Sequence, residues 1–139
     1  MQLTLRGLCV QYPFSQLILA GAKTIEARRY ELGSRNIAQP GEELFLIETP
    51  PKASNAALTA GVALPAKPKV ACVVGTVTFS SSQPYPSPAQ FRRDGQKHRI
   101  REGAKDYDWA GGGEMHAWQV ASTTRFEEPI PAGEKSRTG

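Results

Sequence analysis

Six residues near the start of the chain carry side chains suited to holding a polar ligand: Gln11, Tyr12, Lys23, Thr24, Glu26 and Arg28. Glu26 and Arg28 are two apart, so on an extended strand they share a face. There a carboxylate can accept from the amino groups of a base, and a guanidinium can grip a phosphate or stack on a ring. Lys23 is expected as a mobile positive charge at the mouth of such a site. Gln11 and Tyr12 fall in the turn that leads into it. The competing reading of Lys23, Glu26 and Arg28 is a structural ion-pair network that holds a helix–strand corner.

A second concentration of charge lies at residues 91–105, where Arg92, Arg93, Lys97, Arg99, Arg101 and Lys105 stand against Asp94 and Glu102. This segment accounts for the whole net charge of +4 carried by the 139 residues. Clustered cations neutralise phosphates and release counterions, which predicts affinity for a polyanion, and Lys135 and Arg137 add a basic tail. A solvated surface helix would carry the same charges.

The elements that must position these residues follow from periodicity. Alternation predicts a first strand over residues 2–10, then a turn at Gln11-Tyr12-Pro13. Phe14, Leu17 and Ile18 at i, i+3 and i+4 predict a helix over residues 13–20, with Gly21 as its left-handed stop. Residues 23–30 form a strand with Ile25 and Ala27 on one face and Thr24, Glu26 and Arg28 on the other. Residues 43–49 read as a third strand covered on both faces, since its apolar run is nearly continuous. A long Pro-, Ala- and Lys-rich connection spans residues 50–68, a length usually functional or mobile. The most hydrophobic strand is 69–79, with Gly75 at a bulge or corner. Ser87-Pro88-Ala89-Gln90 opens a short helix that ends near Gly95, and the rest of the stripe is loop or a second helical turn. The last strand is 115–123, with His116, Trp118 and Val120 on one face, before Pro129 and Pro131 break regular structure.

Five strands with short helices in the connections predict one α+β domain over residues 1–139, a small mixed barrel. The chain has 40% hydrophobic residues, 13 Gly and 11 Pro, with no stretch of the 18 or more apolar residues that a membrane span needs. A cytoplasmic monomer away from membranes is expected, without cofactor. Cys9 and Cys72 are expected as reduced, buried thiols, His98 as a surface residue and His116 as a strand residue. Two histidines and two cysteines at these separations make no metal pattern. Trp118 and Phe14 read as core more readily than as stacking platforms, and Tyr12 fits either role.

The order Gln11-Tyr12-Pro13-Phe14, then Leu19-Ala20-Gly21-Ala22-Lys23-Thr24-Ile25-Glu26, then Arg28 resembles the ASCH family of the PUA-like superfamily: a turn, a helix, and G-x-K-T-x-E-x-R. Gly41 before ELFLIET, Val73-Val74-Gly75-Thr76-Val77, His116-Ala117-Trp118-Gln119-Val120, and Phe126 before Pro129-Ile130-Pro131-Ala132-Gly133 extend the likeness along nearly the whole chain. The resemblance implies a PUA-like β-barrel of five to six strands with two or three short helices. It also implies a cleft between the first turn, the Lys–Glu–Arg strand and the tail, holding RNA or a nucleotide-like ligand, with single-stranded DNA as an alternative.

Some small ASCH proteins are amidohydrolases that deacylate N4-acylated cytidine with Lys, Thr and Glu. Their Lys matches Lys23, but their nucleophilic Thr falls at Glu26 and their Glu near Gly75 or Thr76. Thr24 is displaced along the strand by about 7 Å from that slot, which disfavours this chemistry. If the chain is a hydrolase, Lys23, Thr24 and Glu26 are the candidates. A metal-independent ribonuclease would use Glu26 as base with Lys23 and Arg28 on the phosphate. A protein-interaction module would use the same cleft or the 50–68 connection.

Overall fold

The computed structural model describes residues 5–52 and 56–132. Its elements in chain order are β1 (Gly7–Gln11), α1 (Phe14–Leu19), β2 (Ile25–Arg28), β3 (Glu43–Thr49), β4 (Cys72–Pro84), α2 (Pro88–Arg93), α3 (Gly95–His98) and β5 (His116–Pro131). The strands form one sheet in the order β1-β3-β4-β5-β2. β1 runs parallel to β3, and every other neighbouring pair is antiparallel. The sheet therefore has two edges, β1 and β2. They come close enough for Arg28 Nη2 to donate to the Cys9 carbonyl at 3.0 Å, so the sheet curls toward a barrel and stops one seam short of closure.

The helices follow their local signals. Phe14, Leu17 and Ile18 turn the buried side of α1 to the core, and Gly21 at φ +76° supplies the left-handed residue that follows it. Ser87 Oγ accepts from the Gln90 N–H at 3.3 Å, with Pro88 in the first turn of α2. The predicted second turn is α3, stopped by Arg99 at φ +63°.

Trp118 is wholly buried at the centre, with Nε1 donating to the Tyr30 carbonyl at 3.0 Å and its ring edge-on to Phe79. It is a core residue. Burial of Leu8, Leu17, Leu44, Leu46 and Val77 around it removes the apolar surface that drives folding, at roughly 25 cal/mol per Å2.

Three expectations about the elements need correction. Among the described residues β1 starts at Gly7 rather than residue 2, residues 1–4 lying outside the described set. β2 is confined to four residues, because Thr24 donates its N–H to the Lys97 carbonyl instead of a strand partner. β5 runs through Pro129 and Pro131, where Val73 pairs with Ile130 and Cys72 with Pro131. Beyond Val120 only β4 flanks β5, so the prolines stand on an open edge where a missing N–H costs no ladder bond. Cys9 and Cys72 are free but half-buried, not sealed.

Gly75 sits where both neighbouring ladders shift register. A Cβ there would lie 2.0 Å from the Thr124 carbonyl oxygen. Gly75→Ala would normally gain about 0.5–1 kcal/mol by restricting the unfolded chain, but overpacking against backbone costs more. The expected net loss is about 2 kcal/mol by chemical denaturation. A loss below about 0.5 kcal/mol would mean that β4 and β5 part easily there.

Candidate ligand cleft

The open seam holds a cavity of about 890 Å3. Its wall includes Gln11 from β1, Lys23, Glu26 and Arg28 around β2, and Tyr107. Main-chain alternation explains why this place is polar. The Arg6 carbonyl and the Tyr12 N–H bond to Phe45 and Thr49 of β3, so the even-numbered residues of β1 face β3 and Cys9 and Gln11 turn their backbone to the seam. On the other side the Ile25 carbonyl faces away from β5. Lys23 Nζ donates to that carbonyl at 2.7 Å, and Arg28 covers the Cys9 carbonyl. Two cations thus satisfy carbonyls that barrel closure would have paired.

Lys23 is not a mobile charge at the mouth: its side chain is 1% exposed. Its three protons meet the Ile25 carbonyl, the His98 carbonyl at 2.6 Å and Glu26 Oε1 at 3.4 Å, with Nζ 5.2 Å from the Phe14 ring centroid. Burial pulls its pKa below the ordinary lysine value, and Glu26 opposes that effect. Glu26 Oε2 accepts from Arg28 Nε at 2.9 Å. Burial works against the Arg28 charge, yet Glu26 and Tyr30 outweigh it and hold the group above its ordinary value. The ion-pair network expected as the structural alternative is therefore present, and the same residues line the cavity.

His98 is buried, contrary to its expected surface position. It stacks on Phe91 with centroids 4.2 Å apart; Nε2 lies 2.7 Å from the Phe91 carbonyl and Nδ1 3.0 Å from the Ile100 amide. The amide can only donate, so Nδ1 is the acceptor and Nε2 carries the proton. Desolvation lowers its pKa to about 4. This neutral ring fixes the turn whose carbonyl holds Lys23.

Thr24 is exposed, and neither it nor Tyr12 lines the cavity; the Tyr12 hydroxyl instead donates to the Pro65 carbonyl. The tail from Pro129 to Ala132 also lies outside the cavity lining. The basic stripe divides. Arg92 pairs with Asp108 at 3.0 Å, and Arg99 donates to the carbonyls of Ala22, Gln96 and Leu58. Arg93 and Lys97 are exposed, and a shallow depression of about 410 Å3 is lined by Arg92, Arg93 and Arg101. Lys135 and Arg137 lie outside the described residues.

Sequence reasoning missed Tyr107, Lys52 and Lys69, which also line the cavity. The lysines stood in or beside the connection at 50–68, where composition marked a long loop but not its direction. It missed Glu48 as well, which is buried and accepts from Ser15 Oγ and Gln16 Nε2, each at 2.7 Å. Gln16 Oε1 in turn accepts from Arg125, so this network pins α1 to β3 and β5 away from the cavity. An acid inside an otherwise apolar strand was the available signal. Among the described residues no group of three metal-ligating side chains occurs, and no helix is long and apolar enough to cross a membrane.

The chain folds as an incomplete five-stranded mixed barrel with a helix between its two edge strands. Its particular form is ASCH-like. The chain is similar to ASCH from Zymomonas mobilis, with a TM-score of 0.59 at 14% identity over 89% of this chain and 71% of that one. A serine-to-alanine variant of that protein gives the same values. A tyrosine-to-phenylalanine variant gives a TM-score of 0.54 at 14% identity, covering 93% and 75%. No family model and no curated protein sequence matches the chain.

Proposed function

We propose that this chain is a binding module for RNA or a nucleotide-like ligand, held in the seam between β1 and β2. The observation that carries the reading is the 890 Å3 cavity, in which, among the described residues, Lys23, Arg28, Lys52 and Lys69 stand against the one carboxylate of Glu26. A concave site with convergent polar groups and excess positive charge suits an anionic, hydrogen-bonding ligand of nucleotide size. Arg93 and Lys97 extend the positive field along the outer face for a longer strand. The module works in the cytoplasm as a monomer.

Hydrolysis fits less well. The family's acyl-transfer route needs a hydroxyl where Glu26 stands, and Thr24 is exposed outside the cavity. A ribonuclease base would need a free carboxylate, whereas both Glu26 oxygens are engaged by Lys23 and Arg28.

Fluorescence anisotropy with single-stranded RNA and DNA, plus calorimetry with nucleosides and nucleotides, at two salt concentrations, tests the proposal. Glu26→Gln and Arg28→Lys are each expected to weaken binding by about tenfold or more. Arg93→Ala with Lys97→Ala should lower the salt slope for single strands by about 1.4. The same preparation should release no cytidine from N4-acetylcytidine above background. Absence of binding to every probe would end this reading, and turnover abolished by Thr24→Ala would replace it with hydrolysis.

A further inference from the structure

Gln11 closes β1 at the seam, and its amide is held in one orientation. Oε1 accepts from the Tyr107 hydroxyl and from the Lys52 main-chain N–H at 3.4 Å. A main-chain N–H can only donate. The limb it meets is therefore the oxygen, which can only accept, so the Tyr107 hydroxyl, whose pKa burial raises above the ordinary phenol value, donates too. Two donors on one limb of the amide make that limb the oxygen. The Nε2 group is then the other limb, and it has no protein acceptor among the described residues.

The remaining polar groups of the cleft are unequal in kind. Gln11 Nε2 and the rim ammonium groups of Lys52 and Lys69 are donors without partners among the described residues. Among the charged side chains lining the cleft the acceptor is Glu26, already engaged by Lys23 and Arg28. A ligand that brings acceptors to this wall pairs every group. A keto oxygen placed against Gln11 Nε2 completes its hydrogen bond, whereas an exocyclic amino group in that place sets donor against donor.

We propose that Gln11, oriented by Tyr107, is the specificity-determining residue of the cleft and selects keto bases, such as uracil and hypoxanthine, over amino bases such as cytosine and adenine. This rests on the nucleotide-binding reading above. Tyr107 acts as a positioning residue: its ring packs 5.6 Å from that of Phe14, so Phe at this position keeps the packing and loses only the hydrogen bond. Lys52 and Lys69 offer the same donor chemistry to a phosphate, so base and phosphate must be separated experimentally.

Calorimetric titration with UMP, CMP, IMP, AMP, uridine and cytidine does so. UMP is expected to bind about tenfold or more tightly than CMP, and IMP than AMP, at identical phosphate. Uridine should keep its preference over cytidine while binding more weakly than UMP. Tyr107→Phe, with an unchanged circular dichroism spectrum, should shrink the UMP/CMP ratio to within about twofold, and Gln11→Glu should reverse it. Equal binding of keto and amino nucleotides by the native chain, or a ratio untouched by Tyr107→Phe, overturns this inference alone. No binding by any of the six overturns the nucleotide reading together with it.

Discussion

Lys23→Met is expected to destabilise the fold by about 3–5 kcal/mol, the range found when one partner of a buried charge pair is removed. The side chain is 1% exposed and reaches two carbonyls and the Glu26 carboxylate. Methionine matches its length and apolar stem but leaves the Ile25 and His98 carbonyls without a donor in a dry site. It also leaves Glu26 with Arg28 as its remaining ion-pair partner. Because Ile25 lies on β2 and His98 ends α3, the loss loosens the corner that carries the cleft wall. Urea denaturation read by tryptophan fluorescence would measure it. A cost under about 1 kcal/mol would show that solvent reaches Nζ and that the corner is held by apolar packing alone.

The second large effect is acid destabilisation through His98. Its pKa is about 4 in the folded chain against an ordinary value of 6.5, desolvation being the main cause. Between those values the unfolded chain binds a proton that the folded chain refuses, so stability falls as pH falls. The contribution is fully present above pH 6.5, and about 3 kcal/mol of it is gone once pH drops below about 4. Protonation would also remove the acceptor that Nδ1 offers to the Ile100 N–H. Denaturation midpoints at pH 7, 6, 5 and 4.5 should show this loss, and His98→Gln should flatten the slope across the window. An equal slope in both proteins would assign the acid sensitivity to carboxylates.

Local signals carried much of the fold. Residues 43–49 read as a strand with the bounds it has, because a continuous apolar run between turn residues is a one-element property. Ser87, Pro88 and Gln90 marked the start of α2 for the same reason: a cap is a contact between residues three apart. Gly75 was legible as a distortion, since a glycine inside an apolar strand points to a close approach. The length of β5 was not legible. Proline breaks a strand only where its N–H is needed, and whether Pro129 and Pro131 face a neighbour depends on which strands flank them.

Chemistry divided along the same line. By itself the sequence determined that Glu26 and Arg28 share a face, since a two-residue spacing has that meaning on any strand, and that the net positive charge arises in one segment. Tertiary structure alone decided what those groups are free to do. Lys23 became a sealed ion because a carbonyl 75 residues away folds over it, and Arg99 became a backbone clamp because the 50–68 connection brings the Leu58 carbonyl to it. Gln11 acquired a fixed amide from Tyr107, 96 residues distant. A hydrogen bond spans about 3 Å and carries no record in sequence separation. The type of each side chain is thus written locally, while its partner, its burial and hence its protonation and availability are properties of the closed chain.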